Sequence, residues 1–168
     1  FFLYMGSLLL IIKTIFSVSK IIPYTEFADQ ILSVSGALFL LTTVLLQRYK
    51  LKILLLYTII VCLTLYNSYI TGNNALAITV ISCLAVRNSS IESYISLVCK
   101  VECFFLVMHT LLAIGCSILG GIEITQCIGG VSRYDFGMQH PNSFAALVFN
   151  ILIMLIWLKW DKIKVRHI

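Results

Sequence analysis

The chain has 168 residues, of which 60% are hydrophobic and 11% are charged, and its net charge is +5. Soluble domains contain about 45–50% apolar residues, so this composition excludes an ordinary soluble domain and is typical of an integral membrane protein. The positive charge does not indicate nucleic-acid binding, because the basic residues lie at the ends of apolar segments, where membrane topology concentrates them.

Six apolar segments follow one another along the chain. They predict an all-α fold, a single membrane domain built as a polytopic transmembrane helix bundle of about six spans. A polar run after Pro23, a basic turn at 48–52 and a neutral turn at 71–74 separate the first segments. The predicted spans are residues 1–22, 31–47, 53–70, 75–86, 103–119 and 144–160, with an outer loop at 120–141.

The fourth segment, residues 75–86, is short for a span. As a helix it rises only ~18 Å, against a hydrocarbon core of ~30 Å, so it is either re-entrant or a short span. If it spans, most basic residues fall on one face, which the positive-inside rule assigns to the cytoplasm. We therefore expect six spans in the cell (cytoplasmic) membrane, with both termini cytoplasmic and the loop at 120–141 outside.

The segment before the fifth span is amphipathic. Its apolar residues recur at the spacing of one helical face, at Ile91, Tyr94, Ile95 and Val98. This pattern predicts either an amphipathic helix on the cytoplasmic interface or the start of a longer fifth helix. Glu102, with Lys100, follows near the cytoplasmic end, where a solvated edge is the favoured interpretation.

Ionisable residues inside the predicted spans are functional candidates by default. For His109 we favour a neutral imidazole that is hydrogen-bonded to a neighbouring helix. Lys13 either extends its charge to the interface or pairs with a carboxylate from a part of the protein outside this chain. Lys20 lies near the end of the first span and can reach the interface.

The sequence contains no clear pattern for binding a cofactor. The six cysteines form no C-x-x-C pair and are interpreted as small buried hydrophobes. The glycine pairs at 120–121 and 129–130 mark turns, but they lack the spacing of a phosphate loop. We therefore expect no nucleotide site, no metal and no other cofactor.

A polar and aromatic cluster, residues 133–143, precedes the last span. Pro141 suits the first turn of a helix, and Asn142 or Ser143 can cap its free N–H groups. A helix N-terminus favours anions, and Arg133 adds a full charge that suits a phosphate or diphosphate through paired hydrogen bonds. The cluster predicts an anion-handling site at the membrane surface.

The residues of this cluster also have simpler interpretations. Arg133 is either an anion-binding group or an ordinary loop charge. His140 can transfer a proton or bind an oxyanion, or it merely caps the turn. Asp135 is expected to pair with Arg133. Tyr134 and Phe136 either stack on a sugar ring or serve as ordinary interfacial aromatics.

The string R-Y-D-F-G-M-Q-H-P-N-S-F resembles the "R…fG…hPN" signature of polytopic polysaccharide polymerases, the O-antigen and capsule polymerases, which are similar in architecture to the O-antigen ligases. The resemblance implies a glycosyltransferase-type enzyme of surface polysaccharide biosynthesis. Such an enzyme joins oligosaccharide repeat units, carried on polyprenyl diphosphate, at the outer face of the cytoplasmic membrane.

The same resemblance implies roles for individual residues. Arg133 would bind the diphosphate leaving group and stabilise its charge, and His140 would orient or deprotonate the acceptor hydroxyl; these are the expected catalytic residues. The expected substrate-binding residues are Tyr134, Asp135, Phe136 and Asn142.

The family has more spans and a second arginine-bearing outer loop, so we expect this chain to be an N-terminal part or a truncated form. The expected partners are the lipid-linked oligosaccharide, the lipid bilayer and other polysaccharide assembly proteins, without nucleic acid. The alternative is a non-enzymatic membrane protein, such as an exporter subunit for lipid-linked saccharides or an accessory protein. Exporters line their path with polar residues inside the spans, and few such residues occur here.

Overall fold

The computed structural model describes residues 1–160 and confirms the all-α fold class. Within these residues the chain forms six helices and one two-stranded antiparallel sheet. The elements are α1 (Phe2–Ser17), α2 (Glu26–Leu45), α3 (Leu51–Thr71), α4 (Ala75–Val86), α5 (Ile91–Ile118), β1 (Thr125–Ile128), β2 (Val131–Tyr134) and α6 (Pro141–Lys159). Three of the basic residues that the topology prediction assigns to the cytoplasmic face, Lys162, Lys164 and Arg166, lie outside the described residues.

Four helices, α2, α3, α5 and α6, are long and apolar enough to cross a membrane, as expected of a membrane-embedded protein. α5 has 28 residues and begins at Ile91, so the amphipathic segment is the start of a long helix. α1 and α4 are shorter, with 16 and 12 residues. α1 ends at Ser17 rather than at residue 22, because residues 18–25 form a non-helical connection to α2.

The described chain divides into two compact units, each with its own core. The first unit contains residues 1–10 and 31–94. Its α1 and α2 segments approach closely at Gly6 and Gly36, where a Cβ on Gly6 would lie 2.9 Å from the Gly36 carbonyl oxygen. Small residues permit such close backbone contact between membrane helices. The buried core residues of this unit are Leu3, Leu40, Ile81 and Ala85.

At one end of the first unit, the connection from α2 to α3 meets the end of α4. The Gln47 side-chain amide donates to the Ala85 carbonyl oxygen at 2.9 Å, and the Tyr49 hydroxyl donates to Gln47 Oε1 at 3.0 Å. The Arg87 guanidinium carbon lies 5.4 Å from the Tyr49 ring centre and 5.5 Å from that of Tyr57. α4 therefore runs back beside α3 to the level at which α3 begins.

The second unit contains residues 11–30 and, of the described chain, 95–160. It combines the end of α1, the start of α2, most of α5, the β-hairpin and α6. Its core unites helix residues with a residue of the loop that precedes α6, namely Met138. The buried core residues are Ile15, Cys99, Leu106, Met138, Leu147 and Ile151.

Two ionisable residues inside the helices of the second unit, Lys13 and Glu102, have partners within it. Lys13 Nζ lies 3.4 Å from Asp29 Oδ1, so its carboxylate partner belongs to this chain rather than to another part of the protein. Glu102 is buried and accepts a hydrogen bond from Asn150 Nδ2 at 2.9 Å, so the solvated edge predicted there is wrong. Pairing lowers the cost of placing such groups in a nonaqueous environment.

Candidate anion-handling site

Arg133 lies on a β-hairpin. The sequence analysis predicted the turn of this hairpin but not its two strands. Gly129 and Gly130 form the two-residue turn, with φ of 60° and 79°, which matches the turn type that two-residue hairpin loops prefer. Gln126 lies opposite Arg133 in the register of the two strands. The hairpin is short because each strand has only four residues. It places Arg133 on an exposed strand rather than on an irregular loop.

Asp135 follows the second strand and is completely buried, at 0% exposure. Its Oδ2 forms an ion pair with the Lys20 ammonium, which comes from the connection after α1. Its Oδ1 accepts a hydrogen bond from the Gly137 amide at 2.9 Å. The expected pairing of Asp135 with Arg133 is therefore wrong. The buried carboxylate is satisfied from within the fold, and Lys20 is a supporting residue of the site that the sequence analysis assigned only to the interface.

The connection after α1 pairs with the segment before α6 in an antiparallel bridge. The Gln139 amide donates to the Val18 carbonyl oxygen at 2.7 Å, and the Lys20 amide donates to the Gly137 carbonyl oxygen at 2.8 Å. Between these two bonds the Met138 side chain is completely buried. Together with the ion pair, this bridge holds the loop against the core of the second unit.

Two consecutive residues of the loop have left-handed backbone conformations, Phe136 with φ of 49° and Gly137 with φ of 77°. A positive φ at a bulky residue costs on the order of 1–3 kcal/mol and persists only where neighbouring contacts impose it. At Gly137 a Cβ would lie 2.8 Å from Ile21 Cδ1 and 2.9 Å from Ala113 Cβ. Glycine is therefore required here by space as well as by conformation.

The aromatic residues of the cluster form a row. The Phe136 ring lies between Tyr134 and Phe144, with centroid distances of 5.6 Å and 4.6 Å. Phe136 is half-buried, whereas Tyr134 is 64% exposed at the outer end of the row. Tyr134 therefore exposes an aromatic surface, and Phe136 packs against its ring.

His140 caps the N-terminus of α6. Its Nδ1 accepts a hydrogen bond from the Asn142 amide at 3.1 Å, and Pro141 occupies the start of the helix as predicted. The expectation that Asn142 or Ser143 caps the helix is wrong. Because an Nδ1 that accepts a hydrogen bond carries no proton, we assign the neutral ring a proton on Nε2. His140 is exposed, so this Nε2–H group can donate to a ligand.

Arg133 is exposed and has no ion-pair partner among residues 1–160. Its cross-strand neighbour is Gln126. The Oε1 atom of Gln126 is buried and has no hydrogen-bond partner among residues 1–160. Cross-strand neighbours lie close enough for their side chains to interact. Gln126 is thus a further candidate for the site, and the sequence offered no signal for it because its opposition to Arg133 depends on the hairpin register.

His109 contacts the connection after α1. Its Nε2 is 2.9 Å from Ser19 Oγ, which also accepts hydrogen bonds from the Ile21 and Ile22 amides at 3.1 Å each. The expected hydrogen bond is present, but its partner belongs to the connection rather than to a neighbouring helix. His109 therefore supports the segment that contains Lys20.

The structure places the six predicted site residues on three neighbouring pieces of chain. Exposed groups of the strand, Arg133 and Tyr134, precede the turn, and exposed groups of the helix start, His140 and Asn142, follow it. Asp135 is turned inward. A cavity of 560 Å³ at the end of α5 is lined by residues 117 and 120–125, and none of the predicted site residues lines it. Within residues 1–160, no group of three side chains is arranged to hold a metal ion.

In comparisons with known proteins, no family model, no curated protein and no solved structure matches this chain.

We predict that removing one partner of the Lys20–Asp135 pair has unequal effects. Lys20→Met leaves a buried carboxylate without its cation, whereas Asp135→Asn keeps an acceptor for Gly137 and leaves the one-third-exposed Lys20 free to reach water. Breaking a buried pair lowers the free energy of unfolding by about 3–5 kcal/mol. Because Lys20 is partly exposed, we expect Lys20→Met to fall toward the lower end of this range and Asp135→Asn to cost less. Denaturant unfolding in detergent measures the loss.

The double variant Lys20→Met/Asp135→Asn should be more stable than Lys20→Met alone, because it removes the stranded charge. Lys52→Met, which removes an exposed cation of α3, is the matched control. Wild-type stability of Lys20→Met would contradict a supporting role for the pair.

Proposed function

We propose that the exposed groups of residues 133–143 bind the diphosphate of a polyprenyl-linked oligosaccharide. In this proposal the chain takes part in polymerising such repeat units at the outer face of the cytoplasmic membrane. The proposal rests on the signature within residues 133–144 and on the chemistry that the loop offers to an anion. Polyprenyl-diphosphate sugars and the bilayer are its partners, with other polysaccharide assembly proteins.

The single observation that supports this proposal best is the separation of Arg133 from Asp135. The acidic residue nearest to Arg133 along the chain, Asp135, is buried against Lys20, so it does not neutralise the guanidinium. An exposed guanidinium presents a planar set of donors that suits phosphate oxygens. The buried ion pair thus keeps a carboxylate away from the place where a diphosphate would bind.

His140 contributes as a hydrogen-bond donor in this proposal. Its Nδ1 is engaged in the helix cap, so the neutral ring offers Nε2–H to an anionic oxygen rather than a free lone pair to a hydroxyl. The N-terminus of α6 adds a favourable potential for the same charge. Of the roles expected for His140, oxyanion binding fits this cap better than deprotonation of the acceptor.

The proposed reaction is a glycosyl transfer. The acceptor hydroxyl oxygen bonds to the anomeric carbon of the donor sugar, and the bond from that carbon to the diphosphate oxygen breaks. The diphosphate keeps the electron pair, and the hydroxyl proton passes to solvent or to the released diphosphate. Arg133 and His140 stabilise the charge that grows on the diphosphate, which is an electrostatic contribution to catalysis. Tyr134 supports a sugar ring.

The alternative is a non-enzymatic exporter subunit or accessory protein that binds the same lipid. Lys13, Glu102 and His109 contact partners inside their own unit, so these polar groups are engaged in the fold, which favours the enzyme over the exporter. Loss of polymer in Arg133 variants, with repeat units still delivered to the outer face, distinguishes the enzyme. Loss of delivery would favour the exporter.

The six-span topology is part of this proposal. In the first unit α4 returns to the level of the α2–α3 connection, so α5 starts at the end that holds Lys50. At ~1.5 Å per residue, the 28 residues of α5 form a helix ~42 Å long, which is enough to cross a membrane. The assigned basic residues divide eight to two between the faces, with Arg48, Lys50, Lys52, Arg87, Lys159, Lys162, Lys164 and Arg166 on the cytoplasmic face and Lys20 and Arg133 outside.

Labelling of intact cells with a membrane-impermeant thiol reagent tests this topology. Cys127 is exposed in the hairpin, so it should react in a variant that lacks the other five cysteines. Lys50→Cys, in a chain without native cysteines, should react only after the cells are opened. A four-span arrangement without α1 and α4 puts both positions on the same face, so equal labelling of the two would contradict the proposal.

Arg133→Ala should abolish long polymer and accumulate single repeat units, and Arg133→Lys should be nearly as harmful. Lysine keeps the charge but loses the planar donors. Loss of one well-placed donor to a transition state lowers the rate by ~10²–10³-fold. Polymer length on gels, at equal protein abundance, measures the effect in cells whose polymer depends on this protein. Ser132→Ala is the control on the same strand, and normal polymer from Arg133→Ala would contradict the proposal.

His140 variants separate capping from ligand binding. Asparagine caps helices well, so His140→Asn keeps the cap, whereas His140→Ala removes it at a cost of ~1 kcal/mol. If Nε2–H binds the diphosphate, both variants lose polymer, while unfolding measurements show His140→Asn to be the more stable. Normal polymer from His140→Asn would reduce His140 to a structural cap.

A further inference from the structure

The first unit contains an apolar cleft that the proposed function does not use. Two neighbouring cavities of 250 Å³ and 410 Å³ lie among α2, α3 and α4 and share the lining residues Leu41 and Val61. Together they fall in the range of roughly 300–1,000 Å³ that ligand sites occupy. Along α3 the lining extends from Leu54 to Leu65, which is ~16 Å of helix. The cleft is therefore long and narrow, and its walls are mostly aliphatic.

A cation lies at one end of this cleft. Tyr49 and Tyr57 line the larger cavity, and the Arg87 guanidinium carbon lies within 5.5 Å of both ring centres. This distance is that of a cation–π contact, which orients the guanidinium without neutralising its charge. Arg87 is exposed and has no ion-pair partner among residues 1–160.

The surrounding sequence strengthens the positive potential. Residues 46–52 and 87–92 contain four cations, Arg48, Lys50, Lys52 and Arg87, against one carboxylate, Glu92. The Gln47 hydrogen bond to Ala85 ties the α2–α3 connection to α4 at this end of the cleft, next to these cations. The structure thus joins an apolar groove to an uncompensated cation held on two aromatic rings.

We propose that this cleft binds an anionic glycerophospholipid, with an acyl chain between α2, α3 and α4 and the phosphate at Arg87. Basic pockets between membrane helices recognise anionic headgroups in this way. A second copy of the chain in the same membrane orientation would bring like charges to the same end, which disfavours it as the occupant. The inference is independent of the polymerase proposal, because it involves none of residues 133–143.

Native mass spectrometry of the purified full chain in detergent tests the proposal. The probes are phosphatidylglycerol and phosphatidylcholine with identical acyl chains. The wild-type chain should retain phosphatidylglycerol roughly fivefold better, as expected for contact with one basic residue. Arg87→Gln should abolish this preference, whereas Lys100→Gln, which removes an exposed cation of α5 that lines neither cavity, should keep it. Equal retention of the two lipids by wild type, or equal loss in both variants, would overturn the site.

Two further variants test the groove and guard against misfolding of Arg87→Gln. Val61→Phe fills the cleft where its two cavities meet, so it should reduce retention of both lipids. Tyr57→Leu keeps the wall apolar but removes one ring beneath Arg87, so it should reduce the preference for phosphatidylglycerol. Unchanged retention in both variants would overturn the proposal.

Competition identifies the occupant. Soluble glycerol phosphate should not displace bound phosphatidylglycerol, because it lacks the chain that fills the cleft. Displacement by glycerol phosphate would reduce the site to a surface anion contact, and preferential displacement by polyprenyl phosphate would assign the cleft to an isoprenoid instead. Dimer formation that Val61→Phe abolishes would assign it to a second copy of the chain. Each of these three results overturns the phospholipid proposal.

Discussion

The buried carboxylate of Asp135 is the constraint on which the candidate site depends. A carboxylate removed from water must be paired and hydrogen-bonded, or its burial opposes folding. Lys20, from the connection after α1, and the Gly137 amide, two residues further along the loop, provide the two contacts. Satisfying this one group therefore brings the connection after α1 together with the loop between β2 and α6.

The strained turn follows from this arrangement. Once Asp135 points inward and Met138 enters the core, the two residues between them must reverse the chain within a short distance. Left-handed conformations at Phe136 and Gly137 accomplish the reversal, and the stacking of Phe136 on Tyr134 and Phe144 offsets part of its strain. A loop held at so many points keeps Arg133, Tyr134 and His140 in defined positions, which would lower the ordering cost of binding the proposed diphosphate.

The two units handle charge in different ways. In the second unit, Lys13, Glu102 and His109 find partners among residues of the same unit, which lowers the cost of their place in apolar helices. In the first unit, Arg87 rests on two tyrosine rings that orient its charge without cancelling it. Paired charges stabilise a fold, and unpaired but oriented charges remain available to ligands. Arg133, although it lies in the second unit, is likewise without an ion-pair partner among residues 1–160.

Local sequence properties determined the helical fold of this protein. The apolar runs predicted the helices, the bounds of α4 agree with the prediction, and Gly129-Gly130 and Pro141 marked a turn and a helix start. These features depend on neighbours a few residues apart, so periodicity and backbone preferences reveal them. The cluster at 133–143 stood out because charged groups are rare in this chain, although its function stays a prediction.

Only the tertiary structure decided which groups of the cluster are free and which are engaged. The partner of Asp135 is 115 residues away, and the partner of His109 is 90 residues away. Arg133 is far closer in sequence to Asp135, yet the carboxylate turned to Lys20 because the connection after α1 docks on the loop. Ion pairs and hydrogen bonds act over a few ångströms in space, so sequence separation does not determine them, and packing does.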